Sequence, residues 1–204
     1  LTLPPQNSDL LAENMVAHAP AAPSNNDAFN SALGRVQQLR SLLEPILREQ
    51  GVPEDLAAIV LVESGGRATA LSPKGARGLW QLMPETARRY GLTVSTERDE
   101  RTDVIKATRA AARYLRDLYA QFGDWQLAFA AYNAGEQTVK RALLRAGSGT
   151  FQQINAFLPS ETRAYVPAVT TARPLFGQSP DRNRDTLQSA RAAHVLYASS
   201  AITN

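Results

Sequence analysis

Apolar residues recur every three or four positions over much of the chain, which is the spacing of amphipathic helices. The first such segment begins at the candidate N-caps Asn26 and Asp27 and ends at Gly51. Pro45 predicts a kink or a restart within it. Its apolar positions are Phe29, Leu33, Val36, Leu39, Leu43, Ile46 and Leu47.

Later segments repeat this pattern and are punctuated by helix caps and stops. Asp124 is a candidate N-cap, and Gly123, Gly135 and Gly147 are candidate stop signals. The predicted helices cover residues 103–122, 124–135, 136–146, 160–176 with an interruption at Pro167, and 186–198. No alternating run and no Asn-Gly hairpin turn indicates a strand. The sequence therefore predicts an all-α fold.

The length of 204 residues suits one domain with tails. Residues 1–25 contain four prolines among many Ala, Asn and Ser residues, which is typical of a linker or an extended arm. We expect the folded domain to cover residues 26–177. Residues 178–204 would form a C-terminal tail with one helix.

The composition argues against several kinds of partner and binding site. Hydrophobic residues make up 44% of the chain and charged residues 20%, as in ordinary globular proteins, and the formal charge is +3. The basic residues are scattered, so we expect no nucleic-acid partner. There is no cysteine, and the two histidines, His18 and His194, lie far apart, so we expect neither a metal site nor a cofactor. No leader or membrane anchor is visible in the sequence.

One carboxylate occupies an apolar position. After Pro53, residues Leu56, Ile59, Val60 and Glu63 share one face of a predicted helix, and glycines 65 and 66 place Glu63 in its last turn. Burial and the negative end of the helix dipole both penalise the ionised form, so we expect a raised pKa and a role as general acid. The alternative is that the side chain turns out to solvent beside the glycines.

The segment after Glu63 is rich in glycine and in hydrogen-bonding groups. It runs from Ser72 to Pro84 and contains one tryptophan and one methionine. This mixture suits sugars, which present hydroxyl edges and apolar ring faces. A packed connecting loop would explain the same composition.

Several motifs in order resemble a known family. They are Glu63-Ser64-Gly65, Ser72, Gly75-Ala76-Arg77-Gly78-Leu79, Gln81-Leu82-Met83-Pro84, Ala131-Tyr132-Asn133-Ala134-Gly135, Glu161-Thr162-Arg163 and Tyr165-Val166-Pro167. Together they resemble the lytic transglycosylase catalytic domain of the soluble-lytic-transglycosylase type, within the lysozyme-like superfamily. The resemblance covers residues 51–176.

This resemblance implies a lysozyme-like helical domain with a cleft for alternating N-acetylmuramic acid and N-acetylglucosamine. It implies that Glu63 is the catalytic residue and that Tyr165 lies within hydrogen-bonding reach of its carboxyl group. The other implied substrate-binding residues are Ser64, Ser72, Gln81, Met83, Tyr132 and Asn133. From the residues alone, Met83 and Tyr132 could equally fill the core, and Tyr165 could be an ordinary half-buried helix residue.

The chain departs from the family pattern at three places. Gly66 stands where an aromatic residue is frequent, Trp80 where methionine is common, and Glu136-Gln137 where proline or glycine is usual. An aromatic lost at 66 and gained at 80 predicts a rearranged sugar-stacking surface.

The resemblance implies a cleavage that needs one carboxyl group, since the substrate supplies its own nucleophile. Glu63 would act first as acid and then as base, and the product would carry a 1,6-anhydro-muramyl end. A hydrolytic muramidase would instead need a second carboxylate, for which Asp99, Glu100 and Asp103 are candidates. A non-catalytic glycan-binding component of a wall-spanning assembly is a third possibility. The implied partner is the peptidoglycan glycan strand, and the implied location is the periplasm or cell envelope.

Overall fold

The computed structural model describes residues 24–147, 149–177 and 184–202. Within these ranges the chain is helical and contains no β-strand, so the all-α prediction is confirmed. The α-helices are α1 (Asn25–Glu49), α2 (Ala58–Ser64), α3 (Pro84–Arg89), α4 (Val104–Phe122), α5 (Trp125–Ala134), α6 (Glu136–Ala146), α7 (Phe151–Ile154), α8 (Ser160–Ala172) and α9 (Arg184–Ile202). Short 3₁₀ segments cover Glu54–Ala57, Glu100–Thr102, Asn155–Phe157 and Arg173–Leu175.

Side-chain caps fix the starts of three of these helices. Asp103 and Asp124 accept hydrogen bonds from backbone N–H groups in the first turns of α4 and α5, as the sequence predicted for Asp124. The N-cap of α1 is Ser24, which accepts from the N–H of Asp27, so the predicted caps at Asn26 and Asp27 were wrong. The predicted arm over residues 1–25 otherwise lies outside the described residues.

Pro45 and Pro167 do not interrupt their helices, although the sequence predicted an interruption at each. Helix α1 passes through Pro45 without a restart, and α8 passes through Pro167. Pro45 is exposed. Because a proline on the outer face of a helix turns its missing hydrogen bond toward solvent, both helices can keep a buried inner face. The two short helices α3 and α7 were not predicted.

Helix α2 crosses the middle of the core. Leu56, Ile59 and Val60 are fully buried, whereas Glu63, on the same face, is only half-buried. Gly65 ends the helix with a φ of 58°. The apolar face thus ends at a carboxyl group that reaches the edge of the core, in the last turn as the sequence predicted. None of the described helices is both long and apolar enough to cross a membrane.

The loop after Glu63 is held by one buried ion pair. The guanidinium of Arg101 makes two hydrogen bonds to the carboxylate of Asp99, at 2.9 and 2.7 Å. Its Nη1 also donates to the carbonyl oxygens of Gly75 at 2.7 Å and Leu82 at 3.0 Å. Arg101 is only 6% exposed. A rigid five-donor group therefore anchors both ends of the loop, which isolated bridges between Leu71, Arg77 and Leu82 also connect.

Gly78 is where this anchor comes closest to the loop. Its φ is 83°, and a Cβ placed there would lie 1.8 Å from the carbonyl oxygen of Arg101. We predict that Gly78→Ala lowers the free energy of unfolding by several kcal/mol. Gly75→Ala is the matched control, since Gly75 has a φ of 87° but no atom within 4 Å of its Cβ position. It should cost only about 1–2 kcal/mol of left-handed backbone strain. Urea denaturation of the two variants measures the difference, and equal losses would contradict a close approach by Arg101.

Candidate active site

Two helices, α5 and α8, bring side chains to the carboxyl group of Glu63 on α2. Tyr132 comes from α5, and Tyr165 and Glu161 come from α8, which packs against both α5 and α2. The charge of Glu63 acts on both tyrosine hydroxyls, which places the three groups in one electrostatic neighbourhood. The structure thus unites Glu63, Tyr132 and Tyr165, which are far apart in sequence.

The two tyrosines are held differently. The hydroxyl of Tyr132 donates to the carbonyl oxygen of Trp80 at 2.7 Å, and its ring packs on Tyr114 with centroids 5.3 Å apart. Tyr165 is fully buried, and its hydroxyl makes no hydrogen bond of ordinary length and angle with a described residue. It nevertheless lies close enough to Glu63 for its O–H to influence that carboxyl group. Tyr165 is therefore positioned by packing, with its polar end at Glu63.

The pKa of Glu63 is raised from 4.5 to about 8. Burial of the carboxyl group among protein atoms is the largest cause, because it penalises the charged form. The Tyr165 hydroxyl opposes this by stabilising the carboxylate, and the negative charge of Glu161 raises the pKa further. Glu63 is thus mostly protonated at neutral pH while its side chain keeps partial access to solvent, as a general acid requires.

A cavity of about 390 Å³ lies beside this group. Its lining is formed by Lys74, Asn133, Ala134, Pro159, Ser160, Glu161 and Thr162. Glu63 is not part of the lining, but Glu161 belongs to the cavity and also acts on Glu63. Asn133 is fixed in the wall by the Thr162 hydroxyl, 2.7 Å from its Oδ1. The cavity is therefore a polar recess next to the candidate acid.

An ion pair joins two residues in the lining of this cavity. The Nζ of Lys74 lies 3.1 Å from Oε2 of Glu161, which joins the loop after α2 to the first turn of α8. Lys74 is 62% exposed, so the pair contributes little to stability and can open at small cost. Glu161 belongs to a quoted motif and Lys74 to the loop between Ser72 and Pro84, but no sequence signal indicated that they would meet.

Three predicted substrate-binding residues instead hold the protein together. Ser64 is 1% exposed, and its hydroxyl donates to the carbonyl of Leu79 at 2.8 Å. The Ser72 hydroxyl accepts from the N–H of Ala76, and the Gln81 amide donates to the carbonyls of Ala70 and Gly78. Because Ser64 has no access to the cleft, we do not keep it among the proposed contacts. Ser72 and Gln81 are half-buried and stay predictions.

Met83, Trp80 and Gly66 were expected to affect the sugar-stacking surface or the core, and the structure places them differently. Met83 is 44% exposed, so it is no core residue and can meet a ligand. Trp80 is fully buried with its Nε1 bonded to Thr108, and a Cβ at Gly66 would meet Arg35 and Val36 on α1. Neither position faces a cleft. The predicted rearrangement of the stacking surface was therefore wrong, since both side-chain directions lead into the core.

The carboxylates proposed for a hydrolase are occupied elsewhere. Asp99 pairs with Arg101 and Arg77, and Asp103 caps α4. Glu100 accepts from Lys106 and from the N–H of Thr93, which lowers its pKa to about 2. Among the residues that the structure describes, no group of three or more His, Asp or Glu side chains could hold a metal ion. Glu161 is the carboxylate that acts on Glu63.

We predict that Glu161→Gln lowers the pKa of Glu63, because it removes a nearby negative charge and leaves Lys74 unpaired. Carbon-13 NMR titration of glutamate carboxyl groups measures the change. Glu136→Gln is the matched control, since Glu136 is as exposed as Glu161, 24% against 22%, and pairs with Arg89 at 3.0 Å. It does not act on Glu63. Equal shifts in the two variants would contradict the assignment.

The raised pKa of Glu63 makes the stability of the folded state depend on pH. Because the pKa of Glu63 is higher in the folded state than in the unfolded chain, the folded state binds more protons between about pH 4.5 and 8, and stability falls as pH rises through that window. Glu63→Gln removes this dependence. The melting temperature of the variant, relative to the unchanged protein, should therefore rise between pH 5 and pH 8.5. A constant difference across that range would show that Glu63 is not enclosed.

Comparisons with known proteins show which proteins this chain resembles. Membrane-bound lytic murein transglycosylase D of Escherichia coli (strain K12) is 38% identical over 126 residues, which are 59% of this chain and 27% of the relative. The structure of an inactive mutant of lytic transglycosylase Slt from Pseudomonas aeruginosa matches 68% of this chain and 24% of that one, at 33% identity and a TM-score of 0.59. The 70 kDa soluble lytic transglycosylase SLT70 of Escherichia coli matches 74% and 29%, at 25% identity and a TM-score of 0.61.

The chain thus spans about a quarter of the length of these relatives. The resemblance in the motifs and the lysozyme-like helical fold are confirmed. The family model described as Transglycosylase SLT domain matches residues 42–155, which is more than half of the chain. This protein therefore belongs to the Transglycosylase SLT domain family.

Proposed function

We propose that this protein is a peptidoglycan lytic transglycosylase, which cleaves the bond between N-acetylmuramic acid and N-acetylglucosamine without consuming water. The observation that carries the proposal is the half-buried carboxyl group of Glu63, whose pKa is raised to about 8, in a chain of this family. The relatives described above are named lytic transglycosylases, and one of the structures is that of an inactive glutamate-to-glutamine mutant.

In the first step of the proposed mechanism, protonated Glu63 donates its proton to the glycosidic oxygen as the bond to the muramyl anomeric carbon breaks. The N-acetyl carbonyl oxygen of the same sugar stabilises the developing positive charge. The raised pKa supports this step, because a carboxyl group with an ordinary pKa would have lost its proton at neutral pH.

In the second step, Glu63 is a carboxylate and takes the proton of the C6 hydroxyl on the muramyl ring. The C6 oxygen then bonds to the anomeric carbon and closes the 1,6-anhydro ring. Since the nucleophile is tethered to the reacting sugar, proximity replaces an activated water. Tyr165 supports this step, because its hydroxyl favours the carboxylate form of Glu63.

The proposed substrate contacts include Tyr132, Asn133 and Met83. Tyr132 and Asn133 lie on the helix beside Glu63, and the cavity with Lys74 and Glu161 offers both charges. Met83 presents an exposed thioether, which suits the apolar face of a sugar ring. Since the proposed substrate is peptidoglycan, we also propose that the protein works in the periplasm or cell envelope.

A hydrolytic muramidase is the second candidate, because Glu161 gives it a specific carboxylate. Glu161 is the described carboxylate that acts on Glu63, but it is paired with Lys74 in the lining of the cavity. To act as a base it would have to leave Lys74 and bind a water opposite Glu63. A non-catalytic glycan-binding role would leave the raised pKa of Glu63 without a purpose.

We predict that the purified protein converts isolated peptidoglycan mainly into muropeptides with 1,6-anhydro ends. These lack one water, about 18 Da, relative to hydrolytic products and resist borohydride reduction. Mass spectrometry before and after reduction measures both properties. Predominantly reducible ends would instead establish the muramidase.

Two variants complete this experiment. Glu63→Gln should bind the substrate and lose turnover by a factor of about 10³ or more, since the amide has no proton to transfer. Glu161→Gln should keep the anhydro products if Glu161 is not a base. Loss of activity in Glu161→Gln with reducible products in the unchanged protein would identify Glu161 as the second carboxylate of a hydrolase.

A further inference from the structure

Helices α8 and α9 both follow the matched residues 42–155, and they pack along each other more extensively than any other two described helices. Helix α8 carries Tyr165 and Glu161. Helix α9 also contacts α1, where His194 meets Phe29 edge to face at 5.5 Å and Arg191 bonds to Asn30 at 3.0 Å. It is therefore docked at two places and covers α8 from outside.

The contact of α9 nearest to the candidate acid is made by Tyr197. Its ring meets the ring of Tyr165 edge to face, with centroids 5.3 Å apart and planes at 70°. Tyr197 is 9% exposed. The charge of Glu63 acts on Tyr197 as well as on Tyr165 and Tyr132, so α9 belongs to the surroundings of the carboxyl group.

Tyr165 depends on packing for its position. Its buried hydroxyl makes no hydrogen bond of ordinary length and angle with a described residue, and its one polar contact is the looser one with Glu63, so the ring is held mainly by packing. Tyr132, in contrast, is fixed by its bond to Trp80. A ring without a hydrogen bond keeps its orientation only through the side chains that pack against it, and aromatic edge-to-face pairs have a preferred geometry. Tyr197 supplies such a contact from outside the family segment.

We propose that Tyr197 is a positioning residue for Glu63, which acts by fixing Tyr165 and by closing the outer side of the carboxyl site to water. The proposal rests on the proposed function for its activity test. Tyr197 touches neither the substrate nor the reacting atoms. It makes α9 a part of the catalytic unit instead of a tail.

The experiment compares two truncations on the same helix. Tyr197→Ala removes the contact with Tyr165 on α8, and His194→Ala removes the contact with Phe29 on α1. Both should lower the melting temperature, because both weaken the docking of α9. Only Tyr197→Ala should lower kcat, by about tenfold with little change in KM, because the interaction it disturbs acts on the acid during turnover.

The pH profile separates positioning from stability. Activity requires protonated Glu63 and is lost as pH rises through its pKa. We expect Tyr197→Ala to admit water to the carboxyl group, and because burial is the largest cause of the raised pKa, this effect outweighs a weaker contact with the Tyr165 hydroxyl. The pKa therefore falls, and the loss of activity moves to lower pH by about one unit. Tyr197→Phe keeps the ring and should keep the profile, and His194→Ala should leave it unchanged. The groups around Glu63 in this comparison are Glu161, Tyr132, Tyr165 and Tyr197.

A double-mutant cycle tests whether Tyr197 acts through Tyr165. In a Tyr165→Ala background, Tyr197→Ala should add no further loss of kcat, since the ring it positions is absent. Additive effects, or equal changes of the pH profile in the Tyr197 and His194 variants, would overturn the proposal. Should Tyr197→Ala fail to fold, Tyr197→Leu keeps apolar volume without the aromatic edge and carries the same test.

Failure of the proposed function is recognised separately. If the unchanged protein does not cleave peptidoglycan, the lytic transglycosylase proposal fails, but carbon-13 titration of Glu63 still tests positioning. The pKa of Glu63 should fall in Tyr197→Ala and stay in His194→Ala. An unchanged Glu63 pKa in Tyr197→Ala would overturn the positioning role whatever the activity is.

Discussion

Enclosure of the Glu63 carboxyl group is the constraint around which the other features of the site are arranged. Helix α2 and the 3₁₀ turn before it bury Leu56, Ile59 and Val60, so Glu63 cannot turn far from the core. An acid in this place destabilises the fold whenever it is ionised. The protein tolerates the cost because partial solvent access and the Tyr165 hydroxyl keep the carboxylate form within reach. The same compromise lets one group both give and take a proton.

A recess beside the acid needs rigid walls, and the loop after Glu63 forms part of these walls. Arg101 and Asp99 hold this loop with charged groups in the interior, where a paired guanidinium can satisfy several carbonyl oxygens at once. Removal of one partner would leave the other charge buried and unpaired. The ion pair of Lys74 with Glu161 is of the opposite kind, because it lies at the surface and can exchange its partner for a ligand.

The sequence predicts the helices well where one periodic pattern and a cap agree, as in α4 and α5. It also predicts the raised pKa of Glu63 and its leading cause, which is burial. The contribution of the Glu161 charge was not predicted. It fails where a side chain's direction depends on packing between distant segments. Trp80 and Ser64 stand beside residues that the sequence predicts to bind substrate, but both are buried in the core. The Arg101 anchor could not be predicted, because its carbonyl partners carry no side-chain signal.

Helix α9 docks on the rest of the protein through an apolar stripe. The apolar positions Leu187, Ala190, Ala193 and Tyr197 follow helical spacing, so the sequence does contain a stripe by which α9 can dock. Nothing in that stripe says which helix it covers. In the structure it covers α8, which carries both Tyr165, whose hydroxyl lowers the pKa of Glu63, and Glu161, whose charge raises it. The balance of these opposing effects depends on where α8 lies, and α8 is held from outside by α9. A segment without any family motif thereby acts on the protonation state of the one carboxyl group that the proposed chemistry uses.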